Sequence, residues 1–383
     1  MVDPERDDQC PRGESRQHMT EKFGSRFAAT ARADESFPPL PTARAVVPKD
    51  RWSPNRPSSH VDQEALAEDP VFGVESTHAA PTVTAEPTEA AEPSKSAGKL
   101  GPTGRPLPHF PEPPPLEHHG PATVIAMCNQ KGGVGKTTSS INLGAALAEY
   151  GRRVLLVDFD PQGALSVGLG INPHELDVTI YNLLMERGTR LEDVLLKTNV
   201  DGLDLLPCNI DLAAAEVQLV NEVAREQSLY RALQPAMADY DVMIIDCQPS
   251  LGLLTLNALT AAHSVIIPLE CEYFALRGVA LLTDTIAKVQ ERLNPDLRLE
   301  GILATMYDSR TVHGREVLSR VVEAFDDGVF HSVIGRTVRF PETTVAGEPI
   351  TTYASSSTGA KAYRQLAREL LARPQGERTT HRR

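Results

Sequence analysis

Eight consecutive residues, Lys131-Gly132-Gly133-Val134-Gly135-Lys136-Thr137-Thr138, combine the groups needed to hold a polyphosphate. Glycines let the backbone turn tightly and aim its N–H groups inward. Lys136 can reach β- and γ-phosphates, and the Thr137 hydroxyl can hold Mg²⁺. Such a loop needs a strand before it and a helix after it. Val124–Cys128 is a short apolar run of strand type, and Ser139–Tyr150 sets Ile141, Leu143, Ala146 and Leu147 at helical spacing. The start of that helix adds partial positive charge at the same point. The loop departs from the plain pattern G-x-x-x-x-G-K-[ST]: Gln130 stands where the first glycine belongs, and a second lysine, Lys131, follows it. This is the deviant Walker A form, K-G-G-x-G-K-[ST].

Two acidic positions complete a phosphate-handling set. Asp158-Phe159-Asp160-Pro161-Gln162-Gly163 leaves a second apolar run, Arg153–Asp158, at its carboxyl end. A carboxylate there can orient or deprotonate an attacking water, and the Pro-Gln-Gly turn can move with a γ-phosphate. Asp246 closes the apolar run Val242-Met243-Ile244-Ile245, the Walker B arrangement. Asp160 and Asp246 join Thr137 as candidate Mg²⁺ ligands.

Stepping along the chain, short apolar runs recur at 203–207, 241–246, 264–268 and 301–306, separated by helical patterns at 213–234, 278–293 and 315–325. Continuous apolar strands alternating with helices predict an α/β fold with a mainly parallel β-sheet flanked by helices, and a nucleotide beyond the carboxyl ends of its strands. Gly151 reads as the residue that ends the first helix. Of the 30 prolines, 19 lie in residues 1–120, where apolar runs are few. That composition predicts a disordered Pro-rich extension over 1–120, an ATPase domain over 121–373 and a polar tail over 374–383.

The net charge is −13, with 13 Lys and Arg against 19 Asp and Glu in residues 1–120 and 25 against 32 in residues 121–383. A generally basic nucleic-acid binder is excluded, so any DNA binding must come from a local patch. The five cysteines, Cys10, Cys128, Cys208, Cys247 and Cys271, have no C-x-x-C spacing and read as buried free thiols in a reducing cytoplasm. The N-terminus lacks the apolar core of a secretory signal, and no apolar run reaches the roughly 20 residues of a membrane span.

Four motifs in one order, Lys131–Thr138, Asp158–Gly163, Tyr240–Gly252 and Pro268–Leu282, make residues 122–372 similar to the ParA/Soj family of chromosome- and plasmid-partitioning ATPases. The resemblance implies a weak, partner-stimulated ATP hydrolase that dimerises around ATP and Mg²⁺. It implies that Lys131 reaches the other subunit's phosphates, that Lys136 serves its own nucleotide, that Thr137 binds Mg²⁺, that Asp160 supports hydrolysis and that Asp246 is the Walker B acid. It also implies non-specific binding to double-stranded DNA in the ATP state, a ParB-like protein that stimulates hydrolysis, and a cytoplasmic, nucleoid-associated protein. The matching DNA segments are 307–311 and 335–340, with Arg310, Arg336 and Arg339 as candidates. Two stretches depart from the family pattern: Asp246-Cys247-Gln248-Pro249-Ser250 for Asp-Cys-Pro-Pro-Ser, and Ile334–Glu342 for Ile-Pro-Arg-Asn-Val-Arg-Leu-Ser-Glu.

Other readings compete. An orphan ParA-like regulator would switch protein partners with little DNA affinity. A MinD-like membrane ATPase would need an inserting C-terminal helix, but Tyr363, Leu366, Leu370 and Leu371 read as a stripe docked on the core, and Pro374–Arg378 is polar. A relative of nitrogenase iron protein would need cluster-ligating cysteines.

Overall fold

The computed structural model describes residues 100–272 and 275–373. Seven strands form: β1 (Thr123–Met127), β2 (Val154–Phe159), β3 (Leu196–Lys197), β4 (Leu203–Leu206), β5 (Val242–Cys247), β6 (Ser264–Glu270) and β7 (Arg298–Thr305), of which β1, β2, β4 and β5 are buried along their whole length and the short β3 is not. They make one sheet in the order β3-β4-β2-β5-β1-β6-β7. Only the short β3–β4 pair is antiparallel. Between and after the strands run α1 (Lys136–Glu149), α2 (Leu212–Gln218), α3 (Ser228–Leu233), α4 (Leu253–Ala261), α5 (Ala275–Arg292), α6 (Val312–Phe325), α7 (Arg339–Ala346) and α8 (Thr358–Ala372), with shorter helical turns among them.

Because side chains alternate along a strand, the sheet sorts its residues into two cores. Val124, Ala126, Leu155, Val157, Met243 and Ile245 pack against Leu254 and Ala258 of α4, Val279 and Leu282 of α5, and Val317 and Val321 of α6. Ile125, Met127, Leu156 and Ile244 pack on the other side against Leu143 and Leu147 of α1 and Tyr363, Leu366 and Leu370 of α8. The C-terminal helix is therefore docked by the apolar stripe read from its sequence. Among the described residues no helix is long and apolar enough to cross a membrane.

Register then places the chemistry. Asp246 pairs with Met127 across β5–β1 and with Asp158 across β5–β2, so Asp246 sits beside the exit of β1 into the glycine-rich loop and Asp158 lies one strand further on.

Two expectations are corrected. The helical pattern over 213–234 is broken into α2, two single turns and α3, with Ala224 in the left-handed region at φ 53°. Alanine, glutamate and glutamine favour helix there, but the Leu229 N–H donates to the Asn257 side-chain oxygen on α4 (3.1 Å) instead of to a carbonyl four residues back, and the Val220 and Ala224 carbonyls accept from the Arg225 and Arg231 guanidiniums. The second correction concerns the proline-rich extension. Residues 1–99 lie outside the described residues, whereas 100–120 are packed on the core of the α/β domain. The Arg105 guanidinium donates to the carbonyls of Asp326 (2.9 Å) and Val329 (2.7 Å). Phe110 meets the His331 ring edge-on, and Arg152 donates to the Pro114 carbonyl. His119 and the Gly120 N–H both reach the Asp241 carboxylate at 2.8 Å. Prolines deny this stretch regular structure, yet side chains from distant parts of the domain satisfy it. The proposed 374–383 tail lies outside the described residues.

Candidate active site

The loop after β1 is held by the ends of β6 and β7. Asn129 donates to the Pro268 carbonyl at the end of β6 (2.7 Å) and accepts from the Lys131 N–H (2.9 Å). Thr305, at the end of β7, donates to the Val134 carbonyl (2.8 Å). Gly133 and Gly135 take φ values of 76° and 84°, the region that side-chain-bearing residues avoid. α1 starts at Lys136 with no capping side chain and no acid in its first turn. Its first N–H groups are thus left for an outside acceptor, and the helix end carries partial positive charge. Lys136 is only 6% exposed, and its ammonium donates to the Lys131 carbonyl across the loop (3.3 Å). Lysine, loop and helix end converge as an anion cradle.

Beneath the cradle, Asp246 accepts from the Thr137 hydroxyl (2.7 Å) and from the Ser140 hydroxyl (3.1 Å). Burial pushes its carboxyl up to about 6, against these two donors and the nearby Lys136 charge. The donor set is a hydroxyl and a carboxylate oxygen, the hard ligands that Mg²⁺ takes. Thr137 and Asp246 therefore fit this ion.

Asp158 and Asp160, two residues apart, are placed very differently. Asp158 is fully buried and accepts from both the N–H (2.9 Å) and the hydroxyl (2.7 Å) of Ser166. Burial, with the charge of Asp246 beside it, pushes its carboxyl up to about 8. It holds the turn from inside and does not face water. Asp160 is half-buried at the mouth, and its carboxylate accepts from the Gln162 N–H (3.1 Å). Gly163 closes this turn at φ 62°, where a Cβ would lie 3.1 Å from the Cys208 carbonyl oxygen. Of the two acids, Asp160 is the one positioned to meet a water.

Lys131 is turned back onto its own chain. Its ammonium lies 3.0 Å from Glu270 and 2.5 Å from Glu272. Glu270 shares its second oxygen with Arg336 (3.1 Å). A bridge between Tyr307 and Gly335 sets the 307–311 and 335–340 segments side by side. Arg310 pairs with Asp308 (2.7 Å) and Arg339 with Glu342 (2.8 Å). The Arg310, Arg336 and Arg339 side chains remain 88%, 66% and 54% exposed. The sequence alone does not point to Asn129, Ser140 or Thr305 as part of this site. Glu270 carries a signal, since it lies within the Pro268–Leu282 motif.

Comparison with known proteins agrees with this geometry. A family described as an AAA domain matches residues 122–299. Protein Rv1708 of Mycobacterium tuberculosis is 66% identical over 274 residues, covering 72% of this chain and 86% of its own. The sporulation initiation inhibitor protein Soj of Bacillus subtilis is 49% identical over 249 residues, covering 65% of this chain and 98% of its own. A solved structure of cobyrinic acid a,c-diamide synthase from Mycobacterium smegmatis, with bound ATP analogue and magnesium, is 48% identical with a TM-score of 0.58, covering 65% of this chain and 94% of that one.

Proposed function

The chain belongs to the ParA/Soj family of chromosome-partitioning ATPases, and on that premise we propose that it is an ATP-driven dimerising switch that holds DNA non-specifically in its ATP state and serves chromosome or plasmid segregation. The observation that carries this reading is the cradle formed by the glycine-rich loop, the uncapped start of α1 and buried Lys136, set directly above the Thr137–Asp246 pair. ATP and Mg²⁺ are its cofactors, and Thr137 and Asp246 hold the ion. The ion neutralises phosphate charge, as phosphoryl transfer requires. Lys136 binds the β- and γ-phosphates of its own subunit. Asp160 orients the attacking water. Lys131 crosses to the nucleotide of a second copy, so the complete site exists only in the dimer. A ParB-like partner stimulates a slow intrinsic hydrolysis.

In this reading the DNA contacts are Arg310, Arg336 and Arg339, whose exposed guanidiniums suit phosphate contacts. Dimerisation doubles a patch too small to act alone on a chain of net charge −13. DNA binding would place the protein on the nucleoid. A second reading is favoured by one observation: each of these arginines is paired with a carboxylate, Asp308, Glu270 or Glu342. Such a surface suits an orphan ParA-like regulator that switches protein partners. The synthase name of the Mycobacterium smegmatis relative points instead to diamide formation on cobyrinic acid. Releasing ammonia from glutamine through a thiolate needs an accessible cysteine. Among the described residues Cys128, Cys208, Cys247 and Cys271 are buried, and burial pushes the last three thiols up, away from the thiolate.

The test is a titration of non-specific duplex DNA with ATP, with ADP and with Arg339→Glu, at two salt concentrations. ATP-dependent, salt-sensitive binding that is lost in the variant supports the segregation switch. ATP binding without DNA binding moves the assignment to the protein-partner regulator.

A further inference from the structure

Four charges meet at the ends of β6 and the glycine-rich loop: Lys131, Glu270, Glu272 and Arg336. Glu270 is the fixed member. Its side chain is 13% exposed, one oxygen faces Lys131 and the other faces Arg336. Its backbone carbonyl accepts from the Glu272 N–H (2.7 Å), so the two acids sit on one tight turn. Arg336 is anchored in turn, its N–H donating to the Tyr307 carbonyl at the end of β7 (3.1 Å). Lys131 is 47% exposed, and its ammonium is raised in pKa, chiefly by the hydrogen bond to Glu272.

We infer that Glu270 and Glu272 are positioning residues that hold Lys131 on its own subunit and so set the threshold for ATP-driven dimerisation. This rests on the reading that Lys131 acts across the dimer. One ammonium cannot sit between two carboxylates and on the partner's phosphates at once. Dimerisation therefore exchanges the Glu270 and Glu272 contacts for phosphate contacts. In the monomer the two acids keep Lys131 off the phosphates of its own nucleotide, which are left to Lys136. Arg336 keeps Glu270 aimed and neutralised after Lys131 departs. It thus belongs to the nucleotide side of the molecule as much as to the arginine surface.

Two exposed ion pairs each hold a side chain by a few-fold, so freeing Lys131 should tighten the dimer by about tenfold. The experiment is sedimentation equilibrium of the full chain with a non-hydrolysable ATP analogue and Mg²⁺, comparing the unaltered protein, Glu270→Gln/Glu272→Gln and Lys131→Ala. ADP binding by each variant is measured alongside. The expected result is a dimer about tenfold tighter in the double variant, with ADP affinity within about twofold of the unaltered protein. The gap should narrow as salt is raised, because a structural repair elsewhere would not respond to screening. A double variant that dimerises no better overturns the inference while leaving the cross-subunit lysine standing. So does a parallel gain in ADP affinity, which would mean that removing acidic charge simply favours anions. Unchanged dimerisation of Lys131→Ala, or no dimer in any sample, overturns the cross-subunit reading and the inference with it.

Discussion

At the carboxyl ends of the strands, residues 129–137 are shaped by their own glycines and by neighbours at the ends of β5, β6 and β7. Elsewhere on the same domain, residues 100–120 carry no regular structure of their own. They are fixed by partners far along the chain: Arg105 by carbonyls at 326 and 329, and His119 and Gly120 by Asp241. The first region spends its polar groups on an outside ligand: an uncapped helix start, a buried lysine and a carboxyl near an ion-binding hydroxyl. The second satisfies its polar groups internally. The lesson is that binding and stability are separately addressable in this chain, and substitutions should split accordingly.

The largest effect should follow Lys136→Ala. Loss of a buried phosphate-binding ammonium should lower kcat/KM for ATP by at least about 100-fold, with the melting temperature nearly unchanged, as checked by steady-state hydrolysis and calorimetry. Asp160→Ala should slow hydrolysis by about 100-fold while nucleotide binding persists. Asp158→Asn should change turnover far less, because that carboxyl is fully buried on Ser166, away from the water that Asp160 meets. Equal losses in the two Asp variants would erase the distinction drawn between them.

In the other region the effects move to stability. Arg105→Ala removes two hydrogen bonds from a charged donor and should cost about 2 kcal/mol, or roughly 4–8 °C in melting temperature, without altering ATP affinity. Deleting residues 1–118 should reproduce that loss and still leave ATP binding intact, whereas deleting 1–99 should leave these contacts untouched. Loss of nucleotide binding in the 1–118 deletion would mean that the two regions are coupled. The smallest effect is at Asp241. Burial alone would raise its pKa, but the Arg153 N–H, His119 and the Gly120 N–H outweigh burial and hold it below the usual carboxylate range. A depressed pKa stabilises the fold above the unfolded value, about 3.9, and the contribution is lost as pH falls through the folded value. Asp241→Asn should therefore be destabilised by about 1 kcal/mol at pH 7 and progressively less as the pH falls below about 3.9, in paired denaturant titrations.

The same contrast explains what was legible in the sequence. Lys131–Thr138, Asp160 and Asp246 announce themselves because loop, strand end and helix start are contiguous, so type and spacing carry the geometry. The strands at 154–159, 242–247 and 264–270 were readable as unbroken apolar runs. The break at Ala224 was not, since local propensity favours helix and the group that takes the Leu229 N–H out of a helical ladder, the Asn257 side chain, lies far along the chain. The seating of 100–120 was hidden for a related reason. Proline content reports that regular structure is excluded, but says nothing of carbonyls two hundred residues away that Arg105 can reach. The Lys131–Glu270–Arg336 contact likewise joins three loops that only the strand order β1-β6-β7 brings together.

The central claim is that ATP, and not ADP, joins two copies of this chain around their loops. Single-molecule mass measurement of the full chain with Mg²⁺ and a non-hydrolysable ATP analogue, then with ADP, addresses it directly. The expected masses are the 41.6 kDa monomer with ADP and a species of twice that mass with the analogue, absent in Lys131→Ala. One and the same mass in both nucleotides, or a dimer that ignores Lys131, would contradict it.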